Sequence, residues 1–92
     1  MIIRLEFDHE QSHVFIPDGV IADLEMLKTH FLDWAFDQSQ CIGESNGKLY
    51  LSFDETDFVE YLNEVWLSDY TETAYLLPAE KVRQKVVAVI RL

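Results

Sequence analysis

Ninety-two residues carry 17 acids against 7 bases, and the resulting net charge of −10 repels nucleic acid and anionic membranes while attracting basic partners. Apolar residues make up 49 % of the chain and aromatics 13 %, too much for a disordered acidic tail, and the length suits one domain over residues 1–92. Short apolar runs exclude a membrane span, MIIRLEFDHE lacks the order of a secretion signal, and the single Cys41 excludes an internal disulfide, so the expected compartment is the cytoplasm.

Residues 2–7, IIRLEF, alternate loosely between apolar and polar, and HVFI at 13–16 repeats that signal after the polar loop DHEQS. Together they predict a β-hairpin. Pro17, Asp18 and Gly19 interrupt the second strand, and Asp18 is placed to cap a following helix. From Val20 to about Asp37 the period becomes helical. Val20, Leu24, Leu27, Phe31, Trp34 and Ala35 fall on one stripe, which Ile21, Leu32 and Phe36 extend to one side. Asp23, Thr29, His30, Asp33 and Asp37 occupy the outer face, which is therefore acidic.

Asn46 and Gly47 separate two strand-like runs, CIGES and KLYLSF. Asn-Gly tolerates the two positive φ angles of a type I′ turn, which predicts a second hairpin with Leu49, Leu51 and Phe53 on one face and Tyr50 on the other. A helix then runs from Asp54 to Trp66. Asp54 is a good N-cap with Asp57 at N3, although aspartate is short for the reciprocal bond that glutamate makes, and Phe53 with Phe58 has the spacing of a hydrophobic staple. Phe58, Tyr61, Leu62, Val65 and Trp66 are expected to be its buried face.

TAYLL reads as a strand ended by Pro78. The closing stretch, AEKVRQKVVAVIRL, reads two ways: Ala79, Val82, Val86, Val89 and Ile90 make a contiguous helical face, whereas VVAVI is rich in β-branched strand formers. Pro78 near a first turn and basic residues toward the end tip the reading to a helix. The expected fold is a small α+β domain, a mostly antiparallel sheet of four to five strands packed against two or three helices.

Charge is segregated along the chain. Residues 49–80 hold eight acids and no base, and residues 81–92 hold four bases and no acid. Asp57, Glu60 and Glu64 line one stripe of the second helix, where each like-charged neighbour pair costs about 0.2–0.5 kcal/mol. Asp54, Glu55 and Asp57 face the positive end of the helix dipole; Glu64 lies too far along to do so. The stripe is read either as a solvated face balanced by the basic C-terminal segment folding back over it, or as a surface that mimics nucleic-acid phosphates.

Other chemistry is poorly represented. Asp8, His9, Glu10 and His13 match neither a zinc helix nor a calcium loop, Cys41 reads as a small buried hydrophobe, and three glycines supply no phosphate loop. No catalytic residue, metal or cofactor is expected. Size and acidity look like those of small protein inhibitors of nucleic-acid enzymes, such as bacterial immunity, anti-restriction and anti-CRISPR proteins, a resemblance of composition that carries over no residue. It implies a non-enzymatic inhibitor of a basic nuclease or nucleic-acid-binding effector, without direct contact to nucleic acid or membrane. The partner-binding residues would be Asp57, Glu60 and Glu64, with Asp23, Asp33 and Asp37 as a second stripe and Tyr61 and Tyr70 as aromatic contacts. The alternative is a structural or adaptor domain that homodimerises through Ile21, Leu32, Phe36 and Leu67.

Overall fold

A computed structural model describes residues 1–21 and 23–92. The first hairpin forms as its alternation requires: β1 (Ile2–Glu6) pairs antiparallel with β2 (Gln11–Phe15), setting Ile3 opposite Val14. Both of those side chains are fully buried, as is Leu5 on the same face of β1. The N-terminal ammonium donates to the Ile16 carbonyl at 2.7 Å and to Asp18 Oδ1 at 2.8 Å, which pins the end of the strand. Asp18 is thus an ion-pair partner and not the helix cap expected of it.

Gly19 adopts φ +76°, and Asp23 accepts from the Glu25 N–H at 3.0 Å. This local bond sets the entry point, so a 3₁₀ turn at Leu24–Met26 leads into α1 (Leu27–Phe36), later than the start expected at Val20. Leu27, Phe31 and Ala35 are buried at the expected spacing. A further 3₁₀ turn at Ser39–Cys41 precedes β3 (Ile42–Ser45) and β4 (Lys48–Leu51), which pair antiparallel. Asn46 at φ 53° and Gly47 at φ 76° form the predicted primed turn. The Tyr50 ring lies across Gly43, its cross-strand partner, where a Cβ would overlap the ring. Every residue from Glu44 to Tyr50 is exposed, so Leu49 points into solvent and only Leu51 and Phe53 of the expected face pack on the core.

Asp54 caps α2 (Glu55–Tyr61) with a full capping box: Asp57 N–H donates to Asp54 Oδ1 at 3.1 Å, and Asp54 N–H donates to Asp57 Oδ2 at 3.0 Å. Aspartate therefore does reach in this helix. From Leu62 to Trp66 the helix widens into a π turn, closed by the Leu67 N–H donating to the Leu62 carbonyl at 3.0 Å. Each residue of a wider turn advances through a smaller angle, so Val65 falls further from the Leu62 direction than in an α-helix. It is exposed, contrary to the expected buried face, while Phe58, Tyr61 and Leu62 are buried.

β5 (Tyr75–Leu77) joins the outer side of β2 antiparallel. The largest correction follows Pro78: a 3₁₀ turn at Ala79–Lys81 leads to β6 (Val86–Arg91), a strand and not a helix. β6 runs parallel to β1 with Ile3 beside Ala88 and Leu5 beside Ile90. The β-branched run takes the vacant side of β1, and that pairing outweighs the helical spacing. The sheet order is β5-β2-β1-β6, a mixed four-stranded sheet beside the two-stranded β3–β4 hairpin. Extents of 45 × 31 × 20 Å fit two layers, helices on one face of the sheet, with one core between them.

Candidate functional site

Both helices bury their aromatic sides against each other and leave their acids outside. Phe31 of α1 meets Phe58 and Tyr61 of α2 edge-on at centroid distances of 5.0 and 5.6 Å, and Trp34 lies 5.6 Å from Tyr61. Across the outer seam His30 stacks on Trp66 at 6.3 Å. With those faces inward, Asp33 on α1, Asp37 at its C-cap, and Glu60 and Glu64 on the second helical segment are exposed, each pair four residues apart.

Ion pairs decide between the two readings of these stripes. The described residues form three: the N-terminus with Asp18, and Arg4 and Arg91 with Glu6. Of the four C-terminal bases only Arg91 forms an ion pair, and it does so with Glu6 in the sheet, so among the described residues none of them neutralises the acids of α2. Among the described residues, no cation lies within salt-bridge distance of Asp33, Asp37, Glu60 or Glu64.

The other expected contact residues separate into different roles. Asp23 and Asp57 are capping groups that also face solvent in part. Tyr61 is buried at 1 % exposure, and its hydroxyl accepts from Trp66 Nε1 at 2.8 Å, so it cannot be an aromatic contact. Burial pushes its phenol pKa up, and the Trp66 bond offsets part of that rise. Tyr70 is exposed but lines a recess of about 400 Å³ with Met1, Phe15 and Asp18, which none of the four unpaired acids lines. In the alternative apolar patch, Ile21 and Leu67 are core residues and Leu32 is half-buried, leaving Phe36 alone fully outside at 63 % exposure. The exposed His30 and the half-buried Trp66 were not expected together; Trp66 ends the π turn, which has no signature in the sequence.

Cys41 is fully buried beneath the start of α2. Burial pushes its thiol pKa up first, and the carboxylates of Asp57, Glu60 and Asp54 add to the rise. A raised folded pKa means that the unfolded chain releases its protons first as pH rises, so stability falls once pH passes the unfolded thiol value of about 8.5. Tyr61 extends the same loss toward higher pH. Urea titrations between pH 7 and 10.5 are expected to show this decline, and Cys41→Ala should flatten its early part; an unchanged slope would remove the thiol as the cause. Native Cys41 should also resist alkylation by iodoacetamide at pH 7.5.

Among the described residues no cluster of three or more histidine, cysteine or acidic side chains is arranged to hold a metal ion, and no helix is long and apolar enough to cross a membrane. Compared with known proteins, the chain matches no family model, no curated protein and no solved structure.

Proposed function

We propose that this chain is a non-enzymatic cytoplasmic binding protein whose acidic helical face occupies the nucleic-acid groove of a basic protein, inhibiting a nuclease or related effector. The observation that carries this reading is the exposure of Asp33, Asp37, Glu60 and Glu64 on adjacent helices without an ion-pair partner among the described residues. Local helix physics gives these four no stabilising role: none lies in the first turn of its helix, and each i,i+4 pair is repulsive. A basic groove would relieve that repulsion, and the field of a −10 chain would speed encounter.

The test uses Asp33→Asn, Asp37→Asn, Glu60→Gln and Glu64→Gln together. The variant should be slightly more stable, by a few tenths of a kcal/mol per relieved pair, so weaker binding could not be blamed on unfolding. Wild-type protein immobilised in host extract should retain a basic nucleic-acid-binding protein. The variant should bind that protein about tenfold more weakly at low salt, with association slowed. In a purified reaction the wild type should block the partner's nucleic-acid binding. Equal affinity of both forms, or a salt-independent complex, would overturn the proposal.

A further inference from the structure

β6 is an edge strand with an unoccupied side. The Leu92 N–H donates to the Glu6 carbonyl at 2.9 Å, and Glu6 and Arg91 are register partners. In a parallel ladder alternate residues bond the neighbour, so Ala88, Ile90 and Leu92 turn their backbone groups to β1. The N–H and C=O groups of Val89 and Arg91 therefore point outward, where no described strand meets them. Edge strands are ordinarily blunted by proline, lysine or a bulge. Here the register shift and Lys85 lie at the start of β6, and residues 88–90 carry neither device.

A groove of about 450 Å³ runs along this edge. Leu24 and Glu25 of the 3₁₀ turn and Lys28 of α1 form one wall, and Val89, Ile90 and Arg91 of β6, with Arg4 beside them, form the other. Its lining has three cations and one acid, the opposite sign from the chain as a whole. Glu6 engages one nitrogen of each arginine, Arg91 Nε at 3.0 Å and Arg4 Nε at 3.4 Å. The Arg4 Nε is buried, and its contact with Glu6 is an ion pair without hydrogen-bond geometry.

We propose that this groove binds an extended, carboxylate-bearing segment of another protein, which adds to the sheet as a fifth strand beside β6. Backbone pairing to Val89 and Arg91 supplies the ladder, Leu24 and Val89 supply apolar contact, and Arg4, Lys28 and Arg91 receive the carboxylate. A second copy of this chain fits poorly. Antiparallel pairing of two β6 edges gathers Lys85 and Arg91 of both copies at the same two ends, and each copy adds a charge of −10. The site is independent of the acidic helical face.

The experiment selects random 12-residue peptides displayed on phage against the full chain, then follows amide exchange with the selected peptide made synthetically. The expected consensus is a β-branched run free of proline with one or two Asp or Glu. Adding the peptide should slow exchange at Val89 and Arg91 and leave α2 unchanged. Lys28→Glu, on an exposed helical position, should weaken binding about tenfold, the scale of one lost charge-assisted contact. Val89→Pro should abolish binding, because it removes an outward N–H that the ladder to β1 does not use. If Val89→Pro does not fold, Lys28→Glu and the exchange pattern decide. No consensus, a peptide that leaves the Val89 and Arg91 amides unchanged, or protection of those amides that rises with protein concentration alone would each overturn the proposal.

Discussion

Phe31→Ala is expected to cost about 3–5 kcal/mol, enough to consume much of the 5–15 kcal/mol that stabilises a domain of ordinary size. Phe31 is fully buried and is the ring on which both helices and the link between β4 and α2 converge. It meets Phe53 edge-on at 5.0 Å, Phe58 at 5.0 Å and Tyr61 at 5.6 Å, with Trp34 at 6.1 Å behind it. Removing it deletes transfer energy and leaves a cavity whose walls are four rings held by two helices and the link before α2, which cannot all collapse inward. Urea unfolding followed by tryptophan fluorescence measures the loss, and Phe36→Ala on the same helix is the control. Phe36 is exposed, so its truncation should change stability by less than about 0.5 kcal/mol. Similar losses at the two positions would mean that the helix does not sit as described.

The sequence signals that proved reliable are those whose physics is local. Asn46-Gly47 forms its turn because two consecutive positive φ angles exclude most other pairs. Asp54 begins a helix because its side chain competes for the backbone N–H of Asp57 wherever the chain goes next. The core spacing of Leu27, Phe31 and Ala35 follows from the helical period alone.

The elements that depart from their sequence pattern depend on partners distant in sequence. The C-terminal stretch has helical spacing in Val82, Val86, Val89 and Ile90, but β1, more than eighty positions away, offers β6 a ladder that a lone segment cannot reveal. The π turn at Leu62–Trp66 likewise has no residue pattern of its own, and it decides that Val65 faces solvent. The candidate site was half legible. Charge and period located Glu60, Glu64, Asp33 and Asp37, whereas the fate of Tyr61 turned on which aromatic faces the two helices share. The basic groove exists only because β6 is a strand, so a helical reading of the C-terminus hides it.

Asn63, a residue of that π turn, ties the turn to the start of β5, and Asn63→Ala is expected to cost about 2–4 kcal/mol. Its side-chain amide behaves like one rung of a ladder: Nδ2 donates to the Ala74 carbonyl at 3.1 Å, and Oδ1 accepts from the Ala74 N–H at 2.8 Å. Ala74 is buried at 3 % exposure and is the residue before β5, so truncation strands both of its backbone groups where water has little access. Asn63→Asp separates the two bonds. It keeps an acceptor for the Ala74 N–H but sets a carboxylate against the Ala74 carbonyl, which raises the folded pKa of the new group. A raised folded pKa makes the penalty grow as pH rises through the unfolded value of about 3.9 and shrink below it, when the protonated acid can donate again. Chemical denaturation of both variants at pH 3.5 and pH 7, each compared with the wild type at the same pH, therefore separates the explanations. A deficit for Asn63→Asp that narrows in acid, beside one for Asn63→Ala that does not, assigns the energy to the bidentate bond. Equal pH response would assign it to the loss of packing around residue 63.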